Sequence, residues 1–224
     1  MAQQLSFDLP VKEVLGRDDF FVSPANRLAV AMVENPDGWP THALTVTGQA
    51  GSGKTHLTHV WSDLTGAPII MARDLAKADI PALATGPVAV EDVTDIANDR
   101  DALNALFHLY NLTAAQAVPL LLTGSAPPRE WNLTLPDIQS RVQAACHVTL
   151  DAPDDILLSA VLAKLFADRQ ITPRPDVIPY LLAHMERSFA AAAEVVQKLD
   201  RLSLDEKRTI ARKLAVRVIN AHDI

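Results

Sequence analysis

Residues 45–60 read TVTGQAGSGKTHLTHV, and they limit the fold more than any other stretch. An apolar run enters a glycine-rich turn, and Lys54-Thr55 opens a segment of helical character. Gly48-x4-Gly53-Lys54-Thr55 fits the phosphate-loop pattern G-x-x-x-x-G-K-[ST] at every position. Gly48, Gly51 and Gly53 let backbone N–H groups turn inward around phosphate oxygens. Lys54 is suited to the terminal phosphates, and Thr55 offers a hydroxyl to Mg²⁺. The helix N-terminus adds its partial positive charge. Ser52 and His56 complete the loop residues expected to border ADP or ATP. His56 and His59 lie one turn apart, but zinc needs more ligands than these two, so ordinary helix packing accounts for them better.

Such a loop works only between a strand and a helix, and the flanking pattern agrees. Five short apolar runs suit buried parallel strands: 43–47, 68–71, 88–90, 119–123 and 146–150. Helical stretches lie between them. One covers 54–64. Another, 99–115, puts Leu103, Leu106, Phe107 and Tyr110 on one face. Alternation of this kind predicts an α/β core with a parallel five-stranded sheet. After Leu150 the pattern changes. Residues 151–155, DAPDD, make a polar hinge with a proline and a capping acid. From there only helical periodicity remains, at 154–169, 176–186, 188–202 and 211–221. The expected organisation is a tail and linker over 1–18, an α/β core over 19–150 and a small all-helical domain over 151–224.

A phosphate loop needs an acidic partner at the end of a neighbouring strand. In PVAVEDVTD, residues 87–95, three apolar residues lead into Glu91-Asp92. Asp is usual at the first, metal-facing position, and a second acid orients the attacking water. Here Glu91, one methylene longer, is the expected metal partner of Thr55, with Asp92 beside it.

Charge narrows the function. The net charge is −7. Residues 151–224 hold eleven bases and eleven acids, so residues 1–150 carry the whole excess. A general DNA-binding surface needs clustered Lys and Arg to displace counterions, and no segment supplies one. Direct sequence-specific DNA binding is therefore not expected. No run of about 18 apolar residues suggests a membrane span, and no secretory leader pattern opens the chain. Cys146, the single cysteine, forms no internal disulfide, and its setting AACHVTL predicts a buried strand thiol. These features predict a cytoplasmic protein.

Further segments resemble the AAA+ ATPases, and within them the DnaA/Hda group. DFFVSPANRLAV, residues 19–30, is similar to the segment that opens the DnaA AAA+ core, which implies that Phe21, Val22 and Asn26 border the adenine. PLLLTGSAPPREW, 119–131, resembles the sensor 1 strand and turn, with Thr123 or Ser125 near the γ-phosphate. LPDIQSRVQAA, 135–145, resembles the stretch carrying the arginine finger, and Arg141 stands at that place. HMERSFAAAAEVVQKLDR, 184–201, resembles the lid helix with sensor 2, so that Arg187 would reach back to the nucleotide. The resemblance implies an AAA+ core with a helical lid. It predicts no helix-turn-helix domain after that lid.

Gln4-Leu5-Ser6-Phe7-Asp8-Leu9 resembles the short clamp-binding peptide of Hda members. In an extended tail, Leu5, Phe7 and Leu9 fall on one side and can enter an apolar groove; packing as a first strand on the protein's own core is the competing account. The resemblance implies two partners, DnaA and the β-subunit sliding clamp of DNA polymerase III. It implies a negative regulator of replication initiation whose Arg141 stimulates hydrolysis of DnaA-bound ATP. Intrinsic hydrolysis is expected to be weak, and a homodimer is left open. A helicase loader or adaptor, or another P-loop nucleotide switch, is the alternative.

Overall fold

The structure is a computed structural model and describes residues 21–206 and 208–220. The peptide Gln4, Leu5, Phe7 and Leu9 lies outside them. Five parallel strands form one sheet: β1 Ala43–Thr47, β2 Ile69–Met71, β3 Val88–Glu91, β4 Leu120–Gly124 and β5 Cys146–Thr149. Their order is β2-β3-β4-β1-β5, so the strand entering the phosphate loop lies inside the sheet, between β4 and β5.

Period-two alternation sorts the strand residues between two cores. Ala43, Val88, Val90, Leu120 and Leu122 face one side, where α4 (Arg100–Gln116) and α5 (Pro136–Ala144) supply Leu103, Leu106, Ile138 and Val142. Leu44, Val46, Ala89 and Leu121 face the other. There α1 (Arg27–Val33) and α2 (Lys54–Thr65) bring Val30, Val33, Leu57 and the fully buried Trp61. A short α3, Ile80–Leu83, packs against α4. The three inner strands are buried throughout, as expected. The outer two are not. Residues of β2 are half-buried, and β5 exposes His147 and Thr149, because each edge strand has one neighbour only. Cys146 is accordingly a half-buried free thiol and not a fully buried one.

The helical C-terminal region has its own core. α6 (Asp155–Asp168), α7 (Val177–His184), α8 (Phe189–Glu206) and α9 (Arg212–Asn220) enclose Leu158, Leu162, Phe166, Leu181, Val196 and Leu199. Asp154 caps α6 by accepting from the Leu157 N–H at 2.8 Å, which satisfies one of the free donors of the first turn. The connection to the sheet is short: the Leu150 N–H donates to the Thr47 carbonyl at 2.7 Å, so the hinge begins beside the phosphate loop.

Candidate nucleotide site and a remote arginine

The turn between β1 and α2 depends on glycine where the backbone is left-handed. Gly51 has φ +72° and Gly53 φ +97°. Space forbids side chains too. A Cβ on Gly51 would lie 2.9 Å from the Ser188 Cβ, and one on Gly53 would lie 2.9 Å from the Phe189 ring. At Gly48 the obstacles are the Ser52 hydroxyl, at 2.6 Å, and the Leu150 carbonyl oxygen, at 2.7 Å. The loop is thus packed between the hinge and the first turn of α8. The Phe189 N–H donates to the Gly51 carbonyl at 2.9 Å, and the Ser188 hydroxyl accepts from the Ala191 N–H at 3.0 Å, which caps α8 at this contact.

Lys54 bends back over the loop. Its ammonium donates to the carbonyls of Gly48 at 2.8 Å and Gln49 at 3.0 Å. Burial pushes its pKa down, and the negative charges of Asp92 and Glu91 oppose that shift. The three groups therefore share one electrostatic site at the carboxyl ends of β1 and β3. Glu91 ends β3 at 5% exposure, and its Oε1 is buried without a hydrogen-bond partner among the described residues. The buried Ser52 hydroxyl lacks one as well. Unpartnered buried polar atoms are costly unless a ligand satisfies them, so two such oxygens beside a lysine suit a Mg²⁺-bound polyphosphate. Thr55 is exposed beside them. Among the described residues no group of three or more His, Cys, Asp or Glu could hold a metal. A single carboxylate and a hydroxyl suit an ion that arrives with phosphates better than a resident one.

The neighbouring strand ends are coupled. Asp92 has φ +56°, and its N–H donates to the Thr123 hydroxyl at 3.0 Å. Thr123 therefore braces the turn that carries the acids. Ser125 is exposed and donates to Thr94 at 3.2 Å. On the entry side Phe21 and Val22 are 38% and 46% exposed, while Asn26 is buried. The Asn26 amide is used within its own loop, donating to the Phe21 carbonyl and accepting from the Ser23 N–H, both at 2.8 Å. It therefore shapes the Phe21–Val22 edge from below. His56 and His59 are half-buried on α2.

Two arginines complete the inventory. Arg187 donates to Asp155 at 2.8 Å and to the Pro153 carbonyl at 3.3 Å, so it clasps the hinge. Arg141 stands elsewhere. It sits on α5 with its guanidinium over the rings of Phe107 (5.2 Å) and Tyr110 (5.6 Å) of α4. The Tyr110 ring meets His42 edge-on at 4.6 Å, and His42 immediately precedes β1. This cluster marks the amino ends of the strands, the edge opposite the phosphate loop. Sequence reasoning missed Ser188, Phe189 and Asp155. Ser188 alone left a signal, a capping residue before an alanine-rich helix.

No family model matches the chain. In sequence it is related to the chromosomal replication initiator protein DnaA of Cutibacterium acnes, with 23% identity over 196 residues. That match covers 77% of this chain and 39% of the relative, so the chain spans about two fifths of that relative's length. Among solved structures, domain III of the Thermotoga maritima replication initiation protein DnaA superposes with a TM-score of 0.81 at 15% identity, over 95% of this chain and 98% of that one. The fold is the AAA+ fold. AMPPCP-bound DnaA from Aquifex aeolicus superposes with a TM-score of 0.67 at 19% identity, over 83% of this chain and 64% of that one. Five parallel strands with a helical lid are the form in which both the resemblance and the structure agree. No described helix is long and apolar enough to cross a membrane.

Proposed function

We propose that this AAA+ chain is a negative regulator of replication initiation that stimulates hydrolysis of ATP bound to DnaA. One observation carries the reading. The Arg141 guanidinium has no hydrogen bond or ion pair among the described residues, and it sits at the sheet edge away from its own phosphate loop. A planar, always-charged group in that position is of no use to its own nucleotide. It is available to another molecule's, where it would stabilise charge developing on the transferred phosphoryl group.

The chain's own site binds ADP or ATP through Gly51, Gly53 and Lys54, with Phe21 and Val22 against the base. Thr55 and Glu91 would hold Mg²⁺, which would neutralise phosphate charge there. Since α8 packs on the loop, nucleotide occupancy sets the angle between core and lid, and intrinsic hydrolysis is slow. Gln4, Leu5, Phe7 and Leu9 tether the protein to the sliding clamp, which raises its local concentration at the partner.

The test is conversion of labelled ATP to ADP on DnaA, with clamp, DNA and either the wild-type protein or Arg141→Ala. Loss of conversion on the order of 10³ is expected, by analogy with other fingers supplied in trans. Arg141→Lys rescues poorly because it lacks the fork. Equal conversion by wild type and Arg141→Ala removes Arg141 from the reaction. Changing Gln4, Leu5 and Phe7 to Ala should abolish capture by immobilised clamp while the thermal transition stays in place. Retained clamp capture with a lost transition would make the tail a structural strand.

A further inference from the structure

We infer that Phe107 and Tyr110 are positioning residues that hold Arg141 by its face and leave its hydrogen-bonding edge free for an anionic oxygen on another molecule. The inference rests on the trans-acting role given to Arg141 above. Arginines at protein surfaces are ordinarily steadied by carboxylates, which consume the N–H donors that a phosphate would need. Arg141 is steadied differently. Its guanidinium lies 5.2 Å from the Phe107 centroid and 5.6 Å from that of Tyr110, within the range of cation–π attraction. A ring face attracts the charge and consumes no donor. Phe107 and Tyr110 are three apart on α4, so both side chains lie on one face of that helix, and together they are the platform for Arg141.

The backbone is held as well. The Tyr110 hydroxyl donates to the Arg141 carbonyl at 3.4 Å, and the Ala145 N–H donates to the same oxygen at 3.0 Å. Both the root of the side chain and its charged end are thus fixed from α4. Below the platform, the edge-on His42 ring backs Tyr110. Burial lowers the His42 pKa, a hydrogen bond with the Tyr110 backbone opposes that shift, and the neighbouring Arg141 charge adds to it. Fixing a catalytic group before the encounter removes an ordering cost from the transition state.

Phe107→Leu keeps apolar volume on a half-buried side chain and removes the ring. In the DnaA-bound ATP assay it should lower maximal turnover by about fivefold, within the span of cation–π strengths. The concentration giving half-maximal stimulation should stay unchanged. Phe107→Trp should retain turnover, since Trp offers the best face. Phe107→Leu added to Arg141→Ala should cost nothing more. Full turnover by Phe107→Leu beside an inactive Arg141→Ala overturns the platform and leaves the finger standing. An equal loss from Phe107→Leu in both backgrounds also overturns it, because the ring then acts without Arg141. Unchanged turnover in Arg141→Ala overturns the finger itself, and the platform with it.

Discussion

The Phe189 N–H donates to the Gly51 carbonyl at 2.9 Å and joins the first turn of the lid helix to the loop that would hold phosphate. The Phe189 ring meanwhile lies against Gly53, so one lid residue touches that turn at two points. Any side chain at Gly53 must strain the backbone and displace the ring.

Gly53→Ala should therefore lower unfolding stability by about 1–3 kcal/mol, the usual cost of a strained site. Gly66 supplies the control. Its φ is +73°, but nothing lies within 4 Å of an added Cβ, so Gly66→Ala bears the backbone cost alone. Phe189→Ala should relieve part of the Gly53→Ala loss and none of the Gly66→Ala loss. Denaturant titration of wild type, the three single variants and the two double variants decides this; equal losses at both glycines would show that the ring contact carries no weight.

Lys54→Ala should abolish binding of a fluorescent ADP or ATP analogue. No other cation is present in residues 48–55. The fold should persist, since the lysine bonds only to the carbonyls of its own loop. Retained affinity would move the phosphate site away from this turn.

Arg187 offers a sharper test, because its present partner is known. The pair with Asp155 is 46% and 70% exposed, so it contributes at most about 1 kcal/mol to stability. To meet a nucleotide, Arg187 must release Asp155. If it does, Asp155→Asn tightens ATP binding and Arg187→Ala weakens it. Identical affinities in a titration of wild type and both variants would confine Arg187 to the hinge.

His42 and His147 both have their pKa lowered from the ordinary value by burial, which at His147 reaches only the ring nitrogen held 2.8 Å from the buried Thr47 hydroxyl on an otherwise exposed residue, and the Arg141 charge adds to the shift at His42. A lowered imidazole pKa favours the neutral form in the fold. The associated stability is complete above about pH 6.5, the unfolded value, and is lost as pH falls through the lower folded values. Thermal melts should therefore show Tm declining below about pH 6.5. Replacing both histidines with Gln should flatten the decline just below that pH; an unaltered decline would assign it to other groups.

The inner sheet was legible because its strands are apolar runs bounded by turn residues, and β1 runs over 43–47 as expected. α5 was read only as a stretch carrying a motif. Its sequence PDIQSRVQA is polar and buries just Ile138 and Val142, too few to declare a periodicity. β2 and β5 read as buried strands because a short apolar run looks the same at an edge as inside. The phosphate loop was legible because its chemistry is local. The partners of Arg187 and Arg141 were not, because the bond to Pro153 and the rings of α4 reach across more than thirty positions of chain, a distance at which residue spacing says nothing.

The position of β1 inside the sheet sets a constraint on how the chain folds. The Thr45 hydroxyl donates to the Cys146 carbonyl across 101 positions of sequence, and the other neighbour of β1, β4, begins only at Leu120. The helices of the C-terminal region close much shorter loops around their own core. Long-range parallel pairing is slow because loop-closure entropy must be met before any contact repays it. During synthesis the strand that leads into the phosphate loop waits, unpaired on both sides, until most of the sheet has been made. An apolar strand with two open edges is the segment most exposed to wrong pairing, so the yield of native protein should depend more on substitutions in β4 and β5 than on any in the loop itself.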